Sequence, residues 1–214
     1  MSKQLIAGPV GAIEVAVDTV ANPRGIALIA HPHPLFGGSL DNKVVTTLAR
    51  SFRELGFVSV RPNFRGVGGT EGTHDHGMGE TEDLLAVAAW ARSEYGDAPL
   101  LLAGFSFGAF VQTRVGAALA AAGKPPARMV LVGTAAGQVT GARSYTTENV
   151  PADTLIIHGE LDDTVPLKNV LDWARPQELP VVLVPGADHF FHGRLHIIKR
   201  LVMQAFERAL TATN

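Results

Sequence analysis

Apolar residues follow two rhythms along the chain. Ala12–Val20 alternates, with Ile13, Val15 and Val17 on one side, and predicts a half-buried strand. Gly25–Ala30, Leu100–Ala103, Met129–Val132, Thr154–Ile157 and Val181–Val184 are short, nearly continuous apolar runs. Phe57–Val60 is a similar run closed by Pro62. Runs of this kind suit strands buried on both faces. The second rhythm is helical. Asn42–Leu55 places Val44, Val45, Leu48, Phe52 and Leu55 on one face and stops at Gly56. Glu80–Tyr95, Phe107–Ala122, Leu167–Trp173 and Leu195–Leu210 read the same way. Strand and helix alternate, which predicts a mostly parallel sheet covered on two faces, because parallel crossovers need helices. The expectation is a single three-layer α/β domain over residues 1–214.

Composition narrows the function. Of 214 residues, 46% are apolar and 18% charged, and the net charge is −2. No basic field for nucleic acid or acidic lipid is present, so neither partner is expected. The chain has no cysteine, which excludes disulfides, thiolate zinc sites and a cysteine nucleophile. Met1–Val10 carries one lysine and is broken by Gly8-Pro9, unlike a secretory signal. The Ala-rich run Val115–Gly123 is too short to span a membrane. The expectation is a soluble, cytoplasmic protein.

In parallel sheets the ligand sits beyond the carboxyl ends of the strands. After Leu100–Ala103 comes Gly104-Phe105-Ser106-Phe107-Gly108, and then a helix. A G-x-S-x-G turn between strand and helix strains its serine and lifts the hydroxyl into the open. The plainer alternative is a serine that only caps the helix. A serine nucleophile needs a base, and the base needs an orienting acid. Thr154–Ile157 is followed by His158-Gly159-Glu160-Leu161-Asp162-Asp163-Thr164-Val165-Pro166. Val181–Val184 is followed by Pro185-Gly186-Ala187-Asp188-His189. Glu160, Asp162 and Asp163 compete for the acid role, whereas Asp188 reads as a turn residue.

These motifs resemble the α/β-hydrolase superfamily. H-G-x-x-D-x-x-V-P is similar to its acid loop and G-x-x-H to its histidine loop. His31-Pro32-His33-Pro34-Leu35-Phe36-Gly37-Gly38-Ser39 and Asn63-Phe64-Arg65-Gly66-Val67-Gly68-Gly69-Thr70 resemble a subgroup of small bacterial hydrolases without a cap. That subgroup is related in architecture to dienelactone hydrolases, whose cysteine nucleophile is replaced here by Ser106. The resemblance implies a three-layer α/β-hydrolase fold with a twisted, mostly parallel sheet, helices on both faces and no cap domain. It implies a triad of Ser106, Asp162 and His189, with the Phe107 N–H as one oxyanion donor. Pro32 and Pro34 have no N–H, so the second donor is Leu35 or His33, with Leu35 preferred. His33 and Phe105 are expected to touch substrate. The activity implied is hydrolysis of a small-molecule carboxylic ester or thioester, of carboxylesterase type, without a cofactor. Cleavage of another acyl bond, acyl transfer, or a binding module on the same fold are the alternatives.

Two other chemistries compete. His31/His33, His74/His76 and His189/His192/His196 could be metal ligands, but the expectation is that they shape loops and pocket. Gly66-Val67-Gly68-Gly69-Thr70-Glu71 follows a strand, yet Glu71 stands where a dinucleotide fingerprint needs glycine. A tight turn, with Arg65 bonding nearby carbonyls or carboxylates, is expected there. The stretch from Val132 to Thr154, where relatives insert a cap, reads as loop.

Overall fold

The computed structural model describes residues 2–141 and 143–211. Residues 1, 142 and 212–214 of the expected 1–214 unit lie outside the described residues. The main sheet is formed by β1 (Ser2–Ala7), β2 (Ala12–Asp18), β3 (Ile26–Ala30), β4 (Val58–Pro62), β5 (Leu100–Phe105), β6 (Arg128–Val132), β9 (Leu155–Gly159) and β10 (Val181–Val184). Its spatial order is β1-β2-β4-β3-β5-β6-β9-β10. β1 pairs antiparallel with β2, and β2 antiparallel with β4. Every later pairing is parallel.

Among the described residues five α-helices flank the sheet: α1 (Lys43–Glu54), α2 (Met78–Tyr95), α3 (Phe107–Ala121), α4 (Leu167–Ala174) and α5 (Leu195–Thr211). Side-chain alternation along the strands divides the core in two. Leu28, Leu100, Leu102 and Leu131 pack against α2, α3 and α4. Ile29, Leu101, Ala103, Phe105 and Val130 pack against α1 and α5. Both faces are therefore buried, which is why the central strands read as unbroken apolar runs.

Two elements escaped the sequence pattern. β1 is an edge strand that buries only Ile6, so it carries no apolar alternation. The segment expected to be loop after Val132 contains a small antiparallel hairpin, β7 (Gly137–Val139) with β8 (Arg143–Tyr145). Its three-residue strands are too short to impose a hydrophobic period. No cap domain is inserted there. Among the described residues no helix is long and apolar enough to cross a membrane.

Candidate active site

Ser106 lies in the turn joining β5 to α3, with φ 57° and ψ −120°. This left-handed conformation costs energy for a residue with a Cβ, and the surrounding structure must impose it. Two glycines make it possible. A Cβ on Gly104 would lie 2.6 Å from the backbone of Gly108 and Ala109. A Cβ on Gly108 would lie 2.4 Å from the carbonyl oxygen of His31. Strand, turn and helix are thus pressed together at the end of β5. Ser106 occupies the N-cap position of α3, but its side chain makes no capping hydrogen bond. The capping alternative therefore fails, and the hydroxyl is free for another partner.

That partner is His189, which follows β10. Its Nε2 lies 2.9 Å from Ser106 Oγ, and its Nδ1 lies 2.7 Å from Asp162 Oδ2. The other carboxylate oxygen, Oδ1, accepts the backbone N–H of Thr164 at 3.0 Å and of Val165 at 2.7 Å. An ionised carboxylate only accepts, so Nδ1 carries the proton and Nε2 can receive one from the hydroxyl. All three residues are buried. Beneath them the His158 ring bonds Val165 O at 3.0 Å and approaches Asp162 Oδ2 at 3.5 Å. Burial pushes the His158 imidazole down, so it packs as a neutral group.

The competing acids have other partners. Glu160 accepts the N–H of Gly186 at 2.7 Å. Asp163 is exposed and accepts from the Thr164 hydroxyl at 3.3 Å. Asp188 caps the following turn through the N–H and ring of His192.

The loop after β3 is fixed by His31. Its Nε2 accepts the N–H of Phe64 at 2.8 Å, and its Nδ1 donates to Pro32 O at 2.6 Å. Burial holds this imidazole at about 4. His33 is also held at about 4, by burial and then by the nearby His74 and Arg143. The N–H of Leu35, expected at the oxyanion, points instead to His33 Nδ1 at 3.3 Å. Its side chain is 70% exposed and lies outside the cleft that holds Ser106. Among the described residues nothing accepts from the N–H of His33 or of Phe107. Phe105, expected to touch substrate, is fully buried and stacks on the His189 ring at 4.9 Å. Strand alternation turns it to the α5 face, behind the histidine rather than in front of it.

The cleft above Ser106 has a volume of about 300 Å³ and is walled by His33, Phe36, Arg143, His189 and Phe190. An adjoining cleft of about 450 Å³ lies beyond His33 and Phe36, against Phe107, Phe110 and Tyr145. Arg143 borders both. Sequence reasoning passed over Arg143, Phe36 and Phe190; only the fold brings the hairpin over the strand ends.

The remaining motifs are structural. The glycine turn donates the Gly69 N–H to the Glu14 carboxylate at 2.8 Å, leaving it wrapped around the chain's own acid. Arg65 pairs with Asp83 at 2.8 Å and 3.0 Å. His74 bonds Glu80 at 2.8 Å. Among the described residues no group of three or more His, Asp or Glu side chains is arranged to hold a metal.

A serine hydrolase without a lid from Xanthomonas campestris is 39% identical over 97% of this chain and 94% of its own, with a TM-score of 0.85. The chain belongs to the α/β-hydrolase superfamily. An α/β serine hydrolase homologue from Coxiella burnetii is 40% identical over 95% of this chain and 96% of its own, with a TM-score of 0.81. An uncharacterized protein of Rickettsia prowazekii is 42% identical over 106 residues, spanning 49% of this chain and 44% of that protein. No family model matches the chain. Among the described residues no cap covers the strand ends of this α/β hydrolase, and the hairpin and the turn Pro34–Phe36 line the clefts there instead.

Proposed function

We propose that the protein is a serine hydrolase that cleaves small carboxylic esters or thioesters through an acyl-enzyme on Ser106. The observation that carries this reading is the unbroken hydrogen-bond chain from Ser106 Oγ through His189 to Asp162. His189 Nε2 takes the hydroxyl proton as Oγ attacks the acyl carbon, then delivers it to the leaving alcohol or thiol. Asp162 holds the tautomer and stabilises the imidazolium. Water repeats the sequence to release the acid. The tetrahedral oxyanion is met by the N–H groups of Phe107 and His33, neither of which is engaged elsewhere among the described residues. Donors of this kind act on charge that develops in the transition state. His33 takes the role expected of Leu35 because the Leu35 N–H is already engaged.

Labelling with a fluorophosphonate tests the reading. A serine activated in this way reacts covalently, and tryptic mapping is expected to place the adduct on Ser106. A protein that stays unlabelled, or is labelled equally in Ser106→Ala, is not a serine hydrolase. A binding module on the same fold would give that result.

A further inference from the structure

Arg143 stands at the start of β8, where it lines both the cleft above Ser106 and the adjoining one. Its guanidinium is anchored by two bonds to the carbonyl of Thr140, from Nε at 3.1 Å and Nη2 at 2.7 Å. It lies over the Phe36 ring, 4.3 Å from the centroid. Carbonyl and ring fix the position of the cation without neutralising it. Among the described residues Arg143 has no carboxylate partner. The residues lining both clefts include no Asp or Glu either, although the chain carries 20 acids against 18 Lys and Arg. Asp162 lies behind His189 and Glu80 behind His74, and the exposed Asp163 carboxylate bonds the Thr164 hydroxyl. His33, His74 and His76 add ring surface but no anion. The result is an aromatic wall with one pinned, uncompensated cation beside the reacting serine.

We infer that Arg143 reads a carboxylate on the substrate, making the preferred substrates esters whose acyl or alcohol portion carries that charge. A planar guanidinium presents paired donors that match a carboxylate. The aromatic surfaces of Phe36, Phe107, Phe110 and Tyr145 suit the apolar or aromatic body between charge and ester. The inference rests on the serine-hydrolase reading and adds a substrate class to it. No chemical step changes: the carboxylate is bound, not consumed.

The test uses two matched pairs of esters. Charge on the acyl side is probed by p-nitrophenyl hemiglutarate against p-nitrophenyl pentanoate. Charge on the alcohol side is probed by 4-acetoxybenzoate against phenyl acetate. The readout is the ratio of kcat/KM, anionic over neutral, in wild type, Arg143→Gln and Arg143→Lys. In wild type the ratio is expected to exceed about 10 for at least one pair, and to fall as salt is raised. Arg143→Gln is expected to lower that ratio about 10- to 100-fold, the scale of one charge-assisted contact, and Arg143→Lys to restore part of it. Ratios near or below unity for both pairs in wild type overturn the inference, and this arm needs no variant to fold. So does an Arg143→Gln protein that still labels at Ser106 and keeps the wild-type ratio. Failure of the underlying reading looks different. It would show as the absence of fluorophosphonate labelling together with hydrolysis that survives Ser106→Ala.

Discussion

His31 Nε2 accepts the backbone N–H of Phe64 at 2.8 Å, joining the loop after β3 to the loop after β4. Only a ring unprotonated at Nε2 can do this, and burial, the largest influence, holds the imidazole at about 4 against an ordinary 6.5. In the unfolded chain the ring takes a proton near 6.5. The unfolded state thus binds more protons between those values, and the stability contributed by His31 is complete above about 6.5. It is lost as pH falls toward and through about 4. A shift of this size is worth roughly 3 kcal/mol. Denaturant unfolding at pH 7 and pH 4.5 should show His31→Gln less stable than wild type at the higher pH. The variant should also lose at least about 1 kcal/mol less between the two. Equal losses would reject the assignment.

Ser106→Ala should abolish turnover while leaving the fold intact. The group acts as a unit, so the expected loss in kcat is on the order of 10⁶, with a remainder from binding and oxyanion stabilisation. Far-ultraviolet circular dichroism and the thermal midpoint should be close to wild type. More than a few per cent of wild-type turnover would remove Ser106 from the reaction.

Asp162→Asn should cost about 10⁴ in turnover, because an amide no longer fixes the His189 tautomer. Asp163→Asn should cost little, since its exposed carboxylate accepts only from the Thr164 hydroxyl among the described residues, and the variant keeps the carbonyl that binds Thr140. Comparing the two single variants settles which acid orients the ring. A larger loss in Asp163→Asn is the adverse result.

The His33 N–H can be tested with proline. His33 has φ −53° and ψ 123°, a conformation proline adopts and one that suits the residue before Pro34. His33→Pro removes both the N–H and the imidazole, whereas His33→Ala removes only the imidazole. If the N–H holds the oxyanion, kcat in His33→Pro should lie about 10²- to 10³-fold below that in His33→Ala. Equal values would assign the donor elsewhere.

The rate should follow a single ascending limb with pH, because proton abstraction from Ser106 needs a neutral imidazole. His31 and His33, both held at about 4, are already neutral above pH 5 and add no further limb there. A profile of kcat/KM with two separate ascending steps above pH 5 would show that another histidine controls turnover.

Much of this molecule can be read from local constraint. Gly104 and Gly108 sit where a side chain would strike backbone, so the elbow writes itself into five letters. The central strands are covered on both faces, so they read as unbroken apolar runs. The acid loop is legible because Asp162 must offer one oxygen to backbone N–H groups and the other to a ring. Other features depend on direction rather than composition. Whether Leu35 or His33 supplies an N–H turns on the His33 ring folding back over its own loop. Phe105 adjoins Ser106 in sequence, yet it shares a face with Leu101 and Ala103, and that alternation places it behind His189. Arg143 carries no local signal, because its place at the clefts depends on a hairpin of three-residue strands reaching across to Phe36.

Ser106 and His189 are 83 residues apart, and the histidine follows β10, an edge strand paired only with β9. The hydroxyl and the imidazole therefore meet only once the last parallel strand has docked. During refolding, activity should not recover before β10 docks, since only then does His189 reach Ser106. Transient detachment of that edge would part the pair with seven strands still in register. Turnover thus reports the state of the sheet's outermost seam more sensitively than any bulk measure of secondary structure.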